Sequence, residues 1–306
     1  MLLRQLDYNN KILGDAAYFG QQKLERHTQE LALCAHAEIS SLVNATNFKT
    51  HHGNLGKTNK DTILYESVDV IRYMMAIQNL WGITDEDFNA AFESKDIYLN
   101  MRHEMSSKKW NNQFVAIIDL DDVVVEFRKG FSSWLAENFK IHADVNSTEY
   151  YFITALKRAN KNPEDIFSKF IEEGGFRYLE IKENIRETLV GLKQQGFWLQ
   201  YLTARPAENL RCLYDTFYWI NKFDLPYDAI DFASEKFRWC AQSKYYDSRK
   251  ICFAIDDSPK HAEEYAKHGI KVFVPKQNYN KHINHENIKF YDEPYDILRN
   301  SFFQDT

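Results

Sequence analysis

Three carboxylates close one apolar run: Asp119, Asp121 and Asp122 end the stretch Phe114-Val115-Ala116-Ile117-Ile118-Asp119-Leu120-Asp121-Asp122-Val123. A strand alternates its side chains with a period of two, which predicts Asp119 and Asp121 side by side. Like charges that close are unfavourable unless a cation lies between them. A divalent ion there would suit phosphate chemistry, because a phosphate monoester repels a nucleophile until its charge is neutralised. The bland alternative is a strand that runs into an acidic loop. Further polar groups follow later apolar runs: Thr203-Ala204-Arg205-Pro206, Lys236, and Asp256-Asp257-Ser258-Pro259. Any one of these could merely cap a helix; together they point to one shared site.

The elements that must position these residues are legible in outline. A continuous apolar run predicts a strand buried on both faces, as in a parallel sheet. Further strands are expected at 197–202, 229–233, 251–255 and 271–274, with helices such as 259–268 between them. That alternation predicts a doubly wound parallel sheet, whose ligands bind at the carboxyl ends of the strands. Residues 127–180 are helical instead. Phe131, Trp134, Leu135 and Phe139 form one stripe, Asn162-Pro163 opens another helix, and Gly174-Gly175 breaks it. A helix over 181–195 leads back to the strands.

Up to about residue 105 the periodicity is helical throughout. Leu24, Leu31, Cys34, Ala35, Glu38 and Leu42 make one stripe, so Glu38 needs a cation or a partner. The run 63–80 is apolar nearly all round, which predicts a central helix in a bundle. It carries Glu66 and Asp69 at i, i+3, on one face; facing carboxylates build metal sites in bundle cores. An exposed acidic pair is the plainer reading. Gly82 closes that helix and Thr84 caps the next, over 85–102, which carries Lys95 and Arg102. The polar stretch 103–113 is the expected join between domains 1–105 and 113–306.

The chain has 306 residues, 44% hydrophobic and 27% charged, which suits one large or two ordinary globular domains. A net charge of −6 argues against a basic nucleic-acid-binding surface but not against small phosphorylated substrates. Cys34, Cys212, Cys240 and Cys252 lack CxxC spacing, so neither a zinc site nor a disulfide frame is expected. No signal segment and no long apolar span stand out, which predicts a cytoplasmic protein with no membrane partner.

Two resemblances sharpen these expectations. Over residues 20–103, Glu38-Ile39-Ser40-Ser41, Glu66-Ser67-Val68-Asp69 and the segment from Phe92 through Lys95 to Arg102 resemble the all-α nucleoside triphosphate pyrophosphohydrolases. These are the MazG-type and dimeric dUTPase-like enzymes. The resemblance implies Glu38, Glu66 and Asp69 as Mg2+ ligands, and Lys49, Lys95 and Arg102 as phosphate contacts. It also implies a dimer or tetramer. Ser41 departs from the family's second Glu, so one acidic ligand is missing. Over residues 113–300, Asp119-Leu120-Asp121-Asp122-Val123, Thr203, Lys236 and Asp256-Asp257 resemble the four motifs of the haloacid dehalogenase-like phosphatases. A helical cap inserted at 127–180, Gly174-Gly175-Phe176 and Tyr279-Asn280 resemble the 5′(3′)-deoxyribonucleotidases in particular. Asp122 stands where a Gly is usual.

The second resemblance implies Asp119 as nucleophile and Asp121 as acid and base, with Thr203 and Lys236 on the phosphoryl group. Asp119, Asp121, Asp256 and Asp257 would hold Mg2+, and Arg205 would contact substrate. The expected protein is thus a helical domain followed by a Rossmann-like core. It would convert a (deoxy)nucleoside triphosphate to the monophosphate and then remove the last phosphate. A single phosphatase with an inactive helical dimerisation or sensing domain is the competing expectation. Another metabolite phosphate as substrate also stays open.

Overall fold

The computed structural model describes residues 19–46, 58–149 and 152–299, together with Gln5 and Asn9. Among the elements described from Gly20 on, three long helices precede the first strand: α1 (Gln21–Asn44), α2 (Lys60–Leu80) and α3 (Asp85–Ser107). Then follow β1 (Val115–Ile118), α4 (Phe127–Phe139), α5 (Ile153–Arg158), α6 (Pro163–Glu172), a 3-10 turn (Gly175–Tyr178) and α7 (Ile185–Gln194). The remainder is β2 (Trp198–Thr203), α8 (Leu210–Lys222), β3 (Ala229–Phe232), α9 (Lys236–Gln242), α10 (Lys244–Asp247), β4 (Ile251–Ile255), α11 (Pro259–Lys267), β5 (Lys271–Pro275), β6 (Ile288–Tyr291) and α12 (Tyr295–Leu298).

The chain forms two compact units, Met1–Glu93 and Ser94–Thr306. The break lies inside α3, earlier than the expected 103–113 boundary, for a physical reason. From Ser94 onward α3 packs on the second unit: Ser94 and Met101 are buried, and Tyr98 meets Phe217 edge-on at 4.9 Å between centroids. The polar residues that suggested a linker begin on the exposed end of this helix.

In the first unit α1 and α2 pack together. Asn59 caps α2 by accepting the Asp61 N–H at 2.9 Å. Thr84 and Asp87 cap α3 reciprocally: Thr84 Oγ1 accepts from Asp87 N at 3.1 Å and Asp87 Oδ2 accepts from Thr84 N at 3.0 Å. The expectation that 63–80 is enclosed in a bundle fails. Only Met75, Ala76 and Leu80 of α2 are buried, whereas Leu64, Tyr65, Val68, Ile71 and Met74 are exposed. An all-round apolar helix has more faces to cover than the described part of this unit supplies.

The second unit is built on a six-stranded sheet in the order β3-β2-β1-β4-β5-β6, parallel throughout. Along β1, Ala116 and Ile118 face one apolar core while Val115 and Ile117 face the other, which is why the run reads as unbroken hydrophobicity. β6 escaped the sequence reading because it is four residues long and carries the exposed Lys289. The helical insertion after β1 matches expectation as α4 to the 3-10 turn. It leaves and re-enters the core on adjacent stems, tied by Glu126 N to Glu180 O and Lys182 N to Val124 O, both 2.9 Å. Inside it Phe127, Phe131, Phe167, Phe170 and Phe176 pack ring on ring, with centroids 5.1–6.4 Å apart. Gly175 admits that packing, since a Cβ there would lie 2.2 Å from the Phe170 ring. Among the described residues no helix is long and apolar enough to cross a membrane.

Candidate active site

Every strand end that carries chemistry is pinned by the sheet itself. Asp119 N donates to Ile255 O at 2.9 Å and Asp256 N to Phe273 O at 3.1 Å, so both carboxylates leave the ladder from neighbouring strands. Ala233 N donates to Thr203 O at 2.8 Å, which fixes the turn that leads from β3 into α9. Lys236 is the first residue of α9 and fully buried. Its ammonium donates to Asp119 Oδ1 at 2.6 Å and Asp256 Oδ2 at 2.8 Å. Lys244, eight residues further on, lies over Trp110 and Tyr245.

The carboxylates of Asp119, Asp256 and Asp257 converge within 4.8 Å of one another, all buried. Burial pushes Asp119 up to about 6 against the pull of Lys236, with the Asp256 and Asp121 charges adding to the rise. Burial, then the charges of Asp119, Asp122 and Asp256, hold Asp257 well above the carboxylate range. Burial alone would lower Lys236, but Asp119 and Asp256 outweigh it and hold the ammonium above its ordinary value. Asp257 Oδ2 accepts from Tyr279 Oη at 2.6 Å, whereas Asp257 Oδ1 has no hydrogen-bond partner among the described residues. An orphaned, buried carboxylate oxygen beside two further carboxylates is a donor set that fits a hard divalent cation.

Asp121 faces the same cavity as Asp119 but is held differently. Arg205 grips it through two parallel bonds, Nε to Oδ2 at 2.9 Å and Nη2 to Oδ1 at 2.6 Å, and donates from Nη1 to Thr216 Oγ1 at 3.0 Å. Thr203 is fully buried and accepts the Arg205 N–H at 3.3 Å; the next residues, Ala204 and Arg205, line the cavity. Asp122 takes a left-handed φ of 54°, which Asp tolerates, and its Oδ1 caps α4 by accepting Arg128 N at 3.1 Å. Burial, opposed by that N–H, pushes Asp122 up to about 7.

The cavity over these residues measures about 510 Å3. Phe127, Phe167, Phe176 and Tyr279 form its apolar side; Asp119, Asp121, Arg205 and Lys236 form its polar side. Of the cap aromatics named from the sequence, Phe176 is in this wall and Phe131 and Trp134 are not. Phe131 is 2% exposed inside the cap, and Trp134 donates to Glu173 at 2.9 Å. Phe127 and Phe167 were missed, because helical spacing tells which face is apolar and not what that face meets.

In the first unit Glu38, Glu66 and Asp69 do meet, their carboxylate oxygens within 4.8 Å of one another and the residues half-buried. Ser41 is exposed. Lys49 lies outside the described residues. Lys95 and Arg102 are exposed on the part of α3 that belongs to the second unit, Lys95 Nζ standing 6.0 Å from the Tyr214 ring centroid.

A parallel sheet in this order puts its ligand site at the carboxyl ends of its strands, and with the family match below the class is that of the haloacid dehalogenase-like phosphatases. Residues 112–302 match the family model described as 5′ nucleotidase, deoxy (pyrimidine), cytosolic type C protein. The chain belongs to that family. Comparison with curated proteins finds no match. Among solved structures the chain is similar to a predicted phosphatase from Clostridium acetobutylicum, at 17% identity over 61% of this chain and 100% of that one, with a TM-score of 0.44. It is also similar to CbbY from Rhodobacter sphaeroides in complex with phosphate, at 17% identity over 60% and 96% with a TM-score of 0.41. A predicted phosphoglycolate phosphatase from Haemophilus somnus 129PT gives 16%, 62%, 99% and 0.41.

Proposed function

We propose that the second unit is a Mg2+-dependent nucleotidase acting on nucleoside monophosphates. The observation that carries this reading is Lys236 bridging Asp119 and Asp256 beside the unpartnered Asp257 Oδ1, under a cavity walled by aromatic rings. Asp119, Asp256 and Asp257 would hold Mg2+, which supplies positive charge against the phosphate. Asp119 attacks phosphorus, forming an acyl-phosphate bond while the ester P–O bond breaks. Asp121, once protonated, gives its proton to the leaving oxygen, then as carboxylate takes one from the water that cleaves the acyl phosphate. Lys236 balances charge on the phosphoryl group and Thr203 donates its hydroxyl to it. The aromatic wall favours a flat base as leaving-group appendage. Asp119→Asn is expected to abolish phosphate release from nucleoside monophosphates; activity near wild type would remove Asp119 as nucleophile.

The first unit is proposed as a nucleoside triphosphate pyrophosphohydrolase, which would make the substrate of the second; the meeting of Glu38, Glu66 and Asp69 supports this reading. Mg2+ keeps several waters, so few carboxylates suffice. Ser41 favours the other reading, an inactive dimerisation or sensing domain. Pyrophosphate assays with each nucleoside triphosphate decide: release that Glu66→Gln abolishes establishes the activity, and its absence leaves a single phosphatase. A homo-oligomer is proposed on the same resemblance, checked by light scattering.

A further inference from the structure

Arg128 does three things at once. Its backbone N–H caps onto Asp122, beside the catalytic strand end. Its guanidinium, buried to 4% exposure, donates to a short loop of the cap. Nε and Nη2 reach Val145 O at 3.3 and 3.0 Å, Nη2 reaches Ser147 O and Oγ at 3.2 Å each, and Nη1 reaches Glu149 O. The same guanidinium lies against two rings, 4.6 Å from the Phe152 centroid and 4.7 Å from that of Tyr279.

Tyr279 leads directly to the acid cluster. Its hydroxyl donates to Asp257 Oδ2 at 2.6 Å, and the adjacent Asn280 donates to Asp257 O at 2.9 Å and Pro275 O at 2.9 Å. Asp257 is therefore clamped at its carboxylate and at its main chain from one dipeptide. The loop is fastened to the same segment a second time, Asn278 Nδ2 donating to Asn146 O at 2.7 Å. At its other side the loop carries Thr148 into the cavity wall.

A guanidinium spread over main-chain carbonyls orients a loop; it does not by itself tie that loop to catalysis. The Tyr279 ring supplies the tie, because moving it moves the hydroxyl that donates to Asp257 Oδ2. We propose that Arg128 is a positioning residue which, through Tyr279, couples the 145–149 loop and Thr148 to the carboxylate of Asp257. Binding of a divalent ion at Asp257 then orders the loop, and an ordered loop tightens the ion, since coupling between two sites is reciprocal. This rests on the divalent-ion reading of the site.

The test uses the full-length protein with Mg2+ alone. Titration calorimetry gives the Mg2+ affinity, and hydrogen exchange follows the amides of 145–149 with and without the ion. In wild type Mg2+ is expected to slow exchange in this loop. Tyr279→Phe, which keeps the ring, is expected to weaken Mg2+ binding by roughly 10- to 100-fold, the range for losing a hydrogen bond to a metal ligand. Its loop should no longer respond to the ion at saturation. Arg128→Lys is expected to weaken Mg2+ in the same direction although it touches none of the three clustered carboxylates, and to leave the loop fast-exchanging throughout. Wild-type Mg2+ affinity and loop response in Tyr279→Phe would overturn the coupling while leaving the metal reading intact; this variant decides if Arg128→Lys does not fold. No Mg2+ binding by wild type would sink the metal reading, and the coupling with it.

Discussion

Arg205 and Asp121 form a two-pronged ion pair in which the arginine side chain is 1% exposed and the aspartate 21%. A planar fork on both carboxylate oxygens fixes their orientation as a single contact could not. Arg205, expected to touch substrate, lines the cavity, and its fork also holds Asp121, the proposed acid, in one orientation. Arg205→Lys keeps the charge but loses the fork. Turnover on a nucleoside monophosphate is expected to fall by about 10- to 100-fold, at most the low end of what a positioned acid or base contributes because the lysine still holds the carboxylate, with KM little changed. Steady-state kinetics check this: a raised KM with kcat intact would return Arg205 to phosphate binding.

Asp122 gives a prediction in pH. Its folded value near 7 lies above the ordinary 3.8, so the native state holds a proton that the unfolded chain has already released. Stability is then lost as pH rises from about 4 through about 7, and none of that loss applies below the ordinary value. Asp122→Asn keeps the cap on Arg128 N and the left-handed φ while removing the charge. In chelator, its stability is expected to exceed wild type above pH 7 by at most about 4 kcal/mol, converging with wild type near pH 4. Denaturant melts across that range measure the difference; a constant gap at all pH values would contradict it.

The crowded acids also predict how the protein responds to Mg2+. An ion that binds only the folded state at a hundredfold excess over its dissociation constant adds about 2.7 kcal/mol. The melting temperature is expected to rise with Mg2+, and chelator is expected to abolish phosphatase activity reversibly. In Asp257→Asn the thermal shift should be much smaller. An equal shift in wild type and variant would place the ion elsewhere.

Gly175 tests the cap. An added methyl would meet the Phe170 ring at 2.2–2.4 Å, and that ring is itself only 1% exposed, so it has no free space to turn into. Gly175→Ala is expected to cost about 1–3 kcal/mol, the usual range for overpacking a filled core. Because Phe176 is the next residue and lines the cavity, KM should rise as well. Thermal melts and kinetics read the two effects separately.

The candidate site residues were legible because parallel strands buried on both faces leave unbroken apolar runs, and the polar residues that follow them stand out. Asp119, Lys236, Asp256 and Asp257 were all found this way, and the structure brings them together. Helical spacing singled out Glu38 and the pair Glu66 and Asp69, and the family resemblance joined the three as one set. What spacing cannot show is which distant side chain answers a charge: Arg205 and Asp121 are 84 residues apart in the chain. Nor could composition separate an apolar helix that is enclosed from one like α2, whose apolar residues stay largely exposed, or reveal that α3 serves both units.

The two stems beneath the cap are joined backbone to backbone, so everything between Glu126 and Glu180 departs from and returns to one point on the core. Asp119 and Asp121, the proposed nucleophile and acid, precede that point, and Thr203, Lys236, Asp256 and Asp257 follow it. The intervening segment can therefore lengthen, shorten or be traded for another without disturbing the bond-breaking apparatus. Change in what is dephosphorylated is left open to descent by a route that does not put the reaction itself at hazard.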